Sequence, residues 1–205
     1  VLVTHEHSDH VKSLAALYEK YSPAVYASAD SQKGITAACG SDADKFVFFD
    51  MQDFFVGEFT VTPFKVSHDV PCVGYTLSAG GKNVSIVTDI GKVTPAVLKS
   101  ITGSDLVVLE SNHDVEMLKN GRYSYPLKKR ILSDSGHLSN ENAAWTATQL
   151  AMWGTGKIIL GHLSNENNTP SLAYEASHSM LCKNGAQIGG DVILKVAPRS
   201  GILEI

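Results

Sequence analysis

The sequence has few cysteines, and no two of them stand at a spacing typical of a disulfide framework or a zinc-binding pair. There are three in 205 residues, Cys39, Cys72 and Cys182. This scarcity argues against a disulfide-stapled secreted domain and predicts a reducing, cytoplasmic location. None of the three lies in a metal-binding motif, so we expect them to be buried packing residues.

Long apolar runs and an excess of basic charge are also lacking. No run approaches the roughly 20 apolar residues that a membrane span needs, so no membrane partner is expected. The formal net charge is −4, which does not indicate a broad basic surface for long nucleic acid. Without a domain linker or low-complexity tract, residues 1–205 are predicted to form a single domain. Nothing in the sequence indicates an oligomeric state.

Potential metal ligands, by contrast, are dense near the start of the chain. Residues 4–10 read Thr-His-Glu-His-Ser-Asp-His and follow the apolar residues 1–3. In an extended segment side chains alternate, so His5, His7 and Asp9 should point the same way, with a turn after Asp9 bringing His10 alongside. Imidazoles with a carboxylate suit zinc, manganese or iron better than calcium or magnesium. The motif therefore predicts a site for two metal ions.

Further polar side chains follow predicted strands along the chain. His68 comes after residues 59–66, Asp89 after 83–88, Glu110 after 105–109 and His162 after 157–160. Because strand ends can deliver side chains to one cleft, these residues are candidates for the same site.

The segment Gly-His-Leu-Ser-Asn-Glu-Asn occurs twice, at residues 136–142 and 161–167. His162 follows a short apolar strand, which favours a metal ligand. His137 precedes the helical pattern of residues 140–153, and a helix N-terminus is a ready anion site. We interpret His137 as a phosphate-binding or general-acid residue, with a helix-capping or solvated role as the alternative.

The remaining site candidates have alternative readings. Glu110 is placed to orient His137 through a hydrogen bond. His113 suits a catalytic or substrate-binding role and a structural role equally well. Ser164 and Asn168 can contact substrate, but Ser and Asn more often stabilise their own turns, and that reading is favoured.

A basic cluster, Lys128-Lys129-Arg130, stands shortly before His137. A solvated helix face is the simpler interpretation of this cluster. A contact with phosphate groups is the alternative.

The order of these motifs resembles the metallo-β-lactamase superfamily, through His-x-His-x-Asp-His at residues 5–10, the lone His68, Asp89 after a strand, and a late Gly-His pair. Residues 110–114 and the two Gly-His-Leu-Ser segments, with residues 167–170, resemble the WalJ/YycJ group within it. That group is regarded as nucleases related to ribonuclease Z and ribonuclease J. The resemblance implies an α/β fold, the αββα sandwich. Superfamily members place several strands before the first motif, so it also implies that this chain lacks its N-terminal strands.

The resemblance further implies how the ligands are shared between two metal ions. One ion would be held by His5, His7 and His68, and the other by Asp9, His10 and His162, with Asp89 bridging them. Zinc or manganese is the expected metal, with iron as a further possibility. Aspartate rather than cysteine at position 89 fits the hydrolytic branches that share a carboxylate between ions.

The resulting prediction is a metal-dependent phosphodiesterase, with a nucleic acid as partner and DNA favoured over RNA. In this reading it is a DNA exonuclease. Asp9 and Asp89 would orient a metal-bridging hydroxide, and His137 would bind the phosphate or protonate the leaving oxygen. One alternative is a thioester or lactone hydrolase of the same fold, and another is a non-catalytic metal-binding regulatory protein.

The coarse pattern predicts alternating helices and strands. Helices are predicted at residues 9–20, 30–39, 94–101, 126–132, 140–153 and 171–183, with a further short helix opening near 113. Strands are predicted at 1–4, 24–27, 45–49, 59–66, 73–77, 83–88, 105–109, 157–160 and 191–197, and a hairpin turn at 79–82.

Overall fold

The computed structural model describes residues 1–205, apart from the side chain of Ser41. The strands are β1 Leu2–Val3, β2 Tyr26–Ser28, β3 Val47–Phe49, β4 Phe54–Val56, β5 Phe59–Lys65, β6 Val73–Ala79, β7 Lys82–Val87, β8 Leu106–Glu110, β9 Lys157–Gly161 and β10 Ile193–Val196. The α-helices are α1 Ser8–Val11, α2 Leu14–Tyr21, α3 Gln32–Cys39, α4 Pro95–Ile101, α5 Val115–Asn120, α6 Tyr125–Ile131, α7 Asn140–Met152 and α8 Pro170–Lys183. Within these residues, no helix is both long and apolar enough to cross a membrane.

The strands form two sheets. The smaller has three parallel strands in the order β1-β2-β3, and the larger has seven in the order β10-β9-β8-β7-β6-β5-β4. Strands β7 to β10 pair in parallel, and β4 to β7 pair as antiparallel hairpins. The predicted turn between β6 and β7 is confirmed, because Ala79 pairs with Lys82 across Gly80 and Gly81, whose φ values are 56° and 73°.

Helices cover the outer face of each sheet. On the smaller sheet, Val11, Leu14 and Ile35 of the helices pack against Ala27 of β2 and Val25, which immediately precedes that strand. Buried residues of α4, α7 and α8 pack on the apolar strands β7 to β10, which is how a parallel sheet stays shielded from water.

Aromatic side chains fill the space between the two sheets. The rings of Phe49 and Phe54 stack with centroids 4.6 Å apart, and Tyr75 donates a hydrogen bond of 2.5 Å to the carbonyl of Val3. Phe49 and Tyr75 belong to one buried cluster that also packs against Leu2. The layers are therefore helix, sheet, sheet, helix, and the predicted α/β sandwich is confirmed.

The structure corrects three expectations. A helix begins at Ser8, and it breaks before α2, so the predicted extended segment through Asp9 and the turn after it were wrong. Strand β4 was not predicted, because it is an edge strand of only three residues. Cys182 is exposed, whereas Cys39 and Cys72 are buried as expected.

Candidate metal centre

The ends of several strands meet at one edge of the sandwich, where they bring together histidine and aspartate side chains. His5 follows β1, His68 follows β5, Asp89 follows β7, and His162 follows β9. Strands β7, β8 and β9 are parallel neighbours, so their carboxyl ends lie side by side. Side chains far apart in the sequence thus come close enough to bind the same metal ion.

The first group consists of His5, His7 and His68, whose nitrogen atoms lie within 4.8 Å of one another. The His5 side chain is fully buried, and within the described residues its Nε2 has no hydrogen-bond partner. Burial, followed by the neighbouring histidines, lowers the pKa of His5 to about 2. A neutral imidazole with an unpartnered buried nitrogen suits a metal ligand.

The second group consists of Asp9, His10 and His162, also within 4.8 Å of one another. Asp89 stands next to this group. Its Oδ2 lies 3.5 Å from Nε2 of His10, and its Oδ1 lies 3.5 Å from Nε2 of His162. Asp89 also forms a possible ligand group with His5 and His10, so its carboxylate is placed between the two sets.

These donor sets fit divalent metal ions. The carboxylate of Asp89 is almost fully buried, and its Oδ2 accepts no hydrogen bond from the described residues. A buried carboxylate oxygen left without a partner carries a desolvation penalty that a bound cation would offset. The mixture of imidazole and carboxylate donors favours zinc, manganese or iron. The division of the seven residues between two ions stays a prediction that this geometry accommodates.

Two of the predicted ligands have strained backbones. Asp89 has a φ of 56° and His162 a φ of 57°, and Ser22 is the only other described non-glycine residue with a positive φ. This conformation is uncommon outside glycine, and it tends to persist where the surrounding structure over-determines it at a functional site. The positive φ values indicate that the surrounding structure keeps both residues in an unfavourable backbone conformation at this edge.

Glu110 lies behind the cluster at the end of β8 and is fully buried. Its Oε1 is 2.7 Å from Nδ1 of His137 and 2.8 Å from Nδ1 of His162, and its Oε2 accepts a hydrogen bond of 2.7 Å from the backbone of Ile90. Burial by itself raises the pKa of Glu110, but the two histidines outweigh it and lower the pKa to about 2. The predicted bond to His137 is confirmed, and the bond to His162 was not anticipated.

His137 does not cap a helix. The N-cap of α7 is Ser139, whose Oγ accepts from the backbone N–H of Asn142, and His137 lies two residues earlier. Its ring lines a cavity together with His162, and it also forms a possible ligand group with Asp89 and His162. The structure thus places His137 beside the candidate metal centre, and its phosphate-binding or general-acid role stays a prediction.

Sequence reasoning gave Asp69 no role, and it singled out Arg130 only as part of the basic cluster at residues 128–130. Asp69 Oδ1 lies 3.3 Å from Nε2 of His7 and 3.3 Å from Nε2 of His68, and its Oδ2 lies 2.5 Å from Nη2 of Arg130. The available signals were the position of Asp69 directly after His68 and the basic cluster in α6.

Cys72 also reaches the centre, although it stands in no sequence motif. Its Sγ lies 3.6 Å from Nδ1 of His5, and Thr4 Oγ1 lies 3.0 Å from the same nitrogen. Burial, followed by nearby carboxylates, raises the pKa of the Cys72 thiol. The thiol is therefore neutral and packs behind the imidazole.

The other substrate-binding candidates, His113, Asn168 and Ser164, differ in whether they reach the cavity. His113 is almost fully buried, so the structural reading fits its position. Asn168 is buried in an amide network with Asn140 and the carbonyl of Ser111, which also fits the structural reading. Ser164 lines the cavity, while its Oγ accepts turn hydrogen bonds from the backbone of the residues that follow it.

Comparisons with known proteins agree with this geometry. A family described as "Beta-lactamase superfamily domain" matches residues 1–163. Exodeoxyribonuclease YycJ of Bacillus anthracis is 39% identical over 194 residues, covering 92% of this chain and 73% of that protein. Exodeoxyribonuclease WalJ of Streptococcus pneumoniae serotype 2 is 35% identical over 198 residues, covering 93% and 73%.

A solved structure supports the fold assignment independently. The metallo-β-lactamase fold protein YhfI from Bacillus subtilis superimposes with a TM-score of 0.71 at 19% identity, covering 96% of this chain and 73% of that chain. At that identity the likeness concerns the fold alone. With the family match and the two curated relatives, it shows that the chain belongs to the beta-lactamase superfamily and groups with YycJ and WalJ.

Proposed function

We propose that this hydrolase is a metal-dependent phosphodiesterase that removes nucleotides from the ends of DNA. The convergence of two candidate ligand groups on Asp89, with His137 beside them, carries the proposal. The names of the relatives supply the substrate class, because the proteins that are 39% and 35% identical are called exodeoxyribonucleases.

The chain's own residues would first bind two divalent ions. His5, His7 and His68 would hold one, Asp9, His10 and His162 the other, and Asp89 would bridge them. When bound, two such ions, zinc or manganese, supply an activated hydroxide and neutralise the charge that develops on a phosphate. Asp9 and Asp89 would orient the attacking group toward phosphorus.

His137 would act on the phosphate from the cavity side. Glu110 accepts from Nδ1 of His137, so this nitrogen is occupied and Nε2 is left to serve the cleft. In the doubly protonated imidazolium, Nδ1–H stays with Glu110 while Nε2–H can donate to a non-bridging oxygen or pass its proton to the departing one, which leaves a neutral imidazole. Glu110 touches no substrate in this account and is a positioning residue for both His137 and His162.

The net charge of −4 does not oppose this substrate. Two divalent ions would add about four positive charges at the cleft, which is where a phosphate must be attracted. We also propose that residues 1–205 form one domain, because the aromatic cluster joins the two sheets, and that the protein acts in the cytoplasm.

The test is cleavage of end-labelled single- and double-stranded DNA and RNA by the protein with added manganese or zinc. We expect metal-dependent shortening of DNA that is lost in Asp89→Ala and retained in Asp53→Ala, since Asp53 is an exposed aspartate outside the ligand groups. Shortening of RNA but not DNA would change the substrate class. Hydrolysis of a thioester or lactone with intact nucleic acids, or bound metal without turnover on any ester, would contradict the proposal.

A further inference from the structure

A cavity of about 380 Å³ opens beside His137 and His162. We propose that this cavity binds a single terminal nucleotide of the substrate, with the base against Tyr123 and a phosphate at Arg130. The inference rests on the proposed nuclease function and names the part of the substrate that the cavity recognises.

Part of the cavity wall is apolar and includes an aromatic ring. The apolar lining residues are Tyr123 in the loop before α6, Leu127 and Ile131 of α6, and Leu163 after β9. A base can stack on an aromatic side chain whatever its identity, because every base presents a π-face. This wall therefore suits a nucleobase without selecting a sequence.

The cavity also has polar lining residues. Asn112, Ser164 and Asn165 line it together with the two histidines. Asn112 donates through Nδ2 to the carbonyl of His162, which ties this lining to the candidate metal centre. A cavity with both hydrogen-bonding and apolar lining matches a nucleotide, whose sugar and phosphate are polar and whose base faces are apolar.

Arg130 is the cation of α6 that lines the cavity. Lys128 donates its ammonium to the carbonyl of Lys119 at 2.7 Å instead. The guanidinium of Arg130 is held by Asp69 at 2.5 Å, and Asp69 also lies 3.3 Å from the imidazoles of His7 and His68. A guanidinium has five N–H donors, so those not used by Asp69 remain for a phosphate.

The packing at the end of α6 fixes Arg130 relative to His137. A Cβ on Gly136 would lie 2.2 Å from the carbonyl oxygen of Arg130, so the two backbones are in close contact. The backbone N–H of His137 donates to the carbonyl of Ile131 at 3.0 Å. The residue proposed to bind the phosphate and the histidine proposed to act on it are thus parts of one rigid unit.

The size of the cavity sets what it can hold. A volume of about 380 Å³ is near the lower end of the roughly 300–1,000 Å³ typical of small-molecule pockets. A pocket of this size matches one nucleotide, as removal of single nucleotides from a strand end would require.

Calorimetric titration of the manganese-loaded full chain tests the inference. The probes are deoxyadenosine monophosphate, deoxyribose 5-phosphate and inorganic phosphate. We expect the nucleotide to bind about tenfold more tightly than deoxyribose 5-phosphate, because it adds base stacking. Tyr123→Ala should abolish that difference and leave phosphate binding unchanged, while Tyr123→Phe should preserve it.

Arg130 is tested with the same probes. Arg130→Ala should weaken all three by about tenfold and raise KM for DNA with little change in kcat, since it removes a binding contact. Lys129→Ala is the matched control from the same helix and should leave all three affinities unchanged. Equal weakening in both variants would show only a general charge effect and would overturn the assignment of Arg130.

The outcomes separate this inference from the proposed function. DNA cleavage with no preference for the nucleotide over deoxyribose 5-phosphate, and no effect of Tyr123→Ala, would overturn the subsite and leave the nuclease proposal standing. Absence of cleavage, with nucleotide binding that depends on Tyr123, would overturn the nuclease proposal and support the subsite.

Discussion

The two copies of Gly-His-Leu-Ser-Asn-Glu-Asn share every residue but not their structure. In residues 136–142, Leu138 is buried, and Ser139 caps the 13-residue helix α7. In residues 161–167, His162 has a φ of 57°, and Ser164 closes a turn instead of starting a helix. An identical heptapeptide is therefore directed to two conformations by what precedes and follows it.

The copies meet again at the end of β8. The backbone N–H of Asn112 donates to the carbonyl of Leu138 in the first copy, and its Nδ2 donates to the carbonyl of His162 in the second. Glu110 accepts from Nδ1 of both histidines. The two imidazoles thus share one carboxylate, yet only His162 joins the group formed with Asp9 and His10. The difference shows that the neighbours of a motif, more than its own sequence, determine its conformation and its contacts.

Alanine substitutions of His162 and His137 should give the largest difference between the two copies. We expect His162→Ala to lose bound metal and to reduce turnover by at least ~10³-fold, because the metals contribute most of the charge stabilisation. We expect His137→Ala to reduce turnover on DNA by about 10²- to 10⁴-fold, the range of a general acid, while metal content stays near wild type. Metal analysis and DNA cleavage measure both, and loss of metal in His137→Ala would mean that the roles are reversed.

Alanine substitutions at Gly136 and Gly161 should change the free energy of unfolding by different amounts. A Cβ at Gly136 would lie 2.2 Å from the carbonyl oxygens of Arg130 and Ile131, whereas at Gly161 the nearest atom would be 3.5 Å away, in Val108. We expect Gly136→Ala to destabilise by about 3 kcal/mol or more, since backbone must move. Gly161→Ala should change stability by less than about 1 kcal/mol. Denaturant unfolding of the two variants, which make the same exchange in the same local sequence, provides the measurement.

Removing the shared carboxylate should affect both copies at once. Glu110→Gln keeps the shape but removes the charge that two imidazoles contact. We expect metal affinity or activity to fall by about 10- to 100-fold, as for other groups that orient metal ligands. Unchanged values of both would contradict the positioning role of Glu110.

The pH dependence of metal binding should report on the second copy. Burial lowers the pKa of His162, but the hydrogen bond to Glu110 and the charges of Glu110 and Asp89 outweigh it and raise the pKa to about 9. Below that pH the metal-free imidazole is protonated, and a metal ion must displace the proton. Metal affinity should therefore rise with pH by up to about tenfold per unit from pH 7 to 9 and then level off. In Glu110→Gln the levelling should occur at lower pH.

Alanine substitutions of Ser139 and Ser164 should give the smallest difference between the two copies, in the free energy of unfolding. Ser139→Ala removes the N-cap of α7 and should destabilise by about 1 kcal/mol. Ser164→Ala removes turn hydrogen bonds of 3.2 and 3.4 Å and should have a smaller effect. Equal effects in thermal unfolding would indicate that the N-cap at Ser139 stabilises the protein no more than the turn hydrogen bonds at Ser164 do.

Much of the fold was predictable because the apolar strands and capped helices have strong local patterns. The helix predicted at residues 94–101 is confirmed as Pro95–Ile101, with Thr94 as its N-cap. Strand β4 was missed because an edge strand of three residues has too few positions to show alternation. Its signal was the run Phe54-Phe55-Val56 before Gly57, whose φ of 59° lets the hairpin turn.

The candidate site was predictable where a ligand followed a strand and unpredictable where contacts depend on tertiary packing. Glu110 was expected to form a hydrogen bond with His137, and that bond is present, because Glu110 ends strand β8 and His137 lies in the segment just before α7. The contacts of Asp69 with Arg130 and of Cys72 with His5 join residues more than 60 positions apart. No local pattern encodes such pairs.

Anomalous diffraction from crystals of the metal-loaded protein would show directly which of His137 and His162 binds a metal ion. We expect two ions, with Nε2 of His162 at about 2.0–2.1 Å from one of them and neither nitrogen of His137 bonded to metal. An ion bonded to His137, with His162 free, would contradict the roles assigned to the two copies of the heptapeptide.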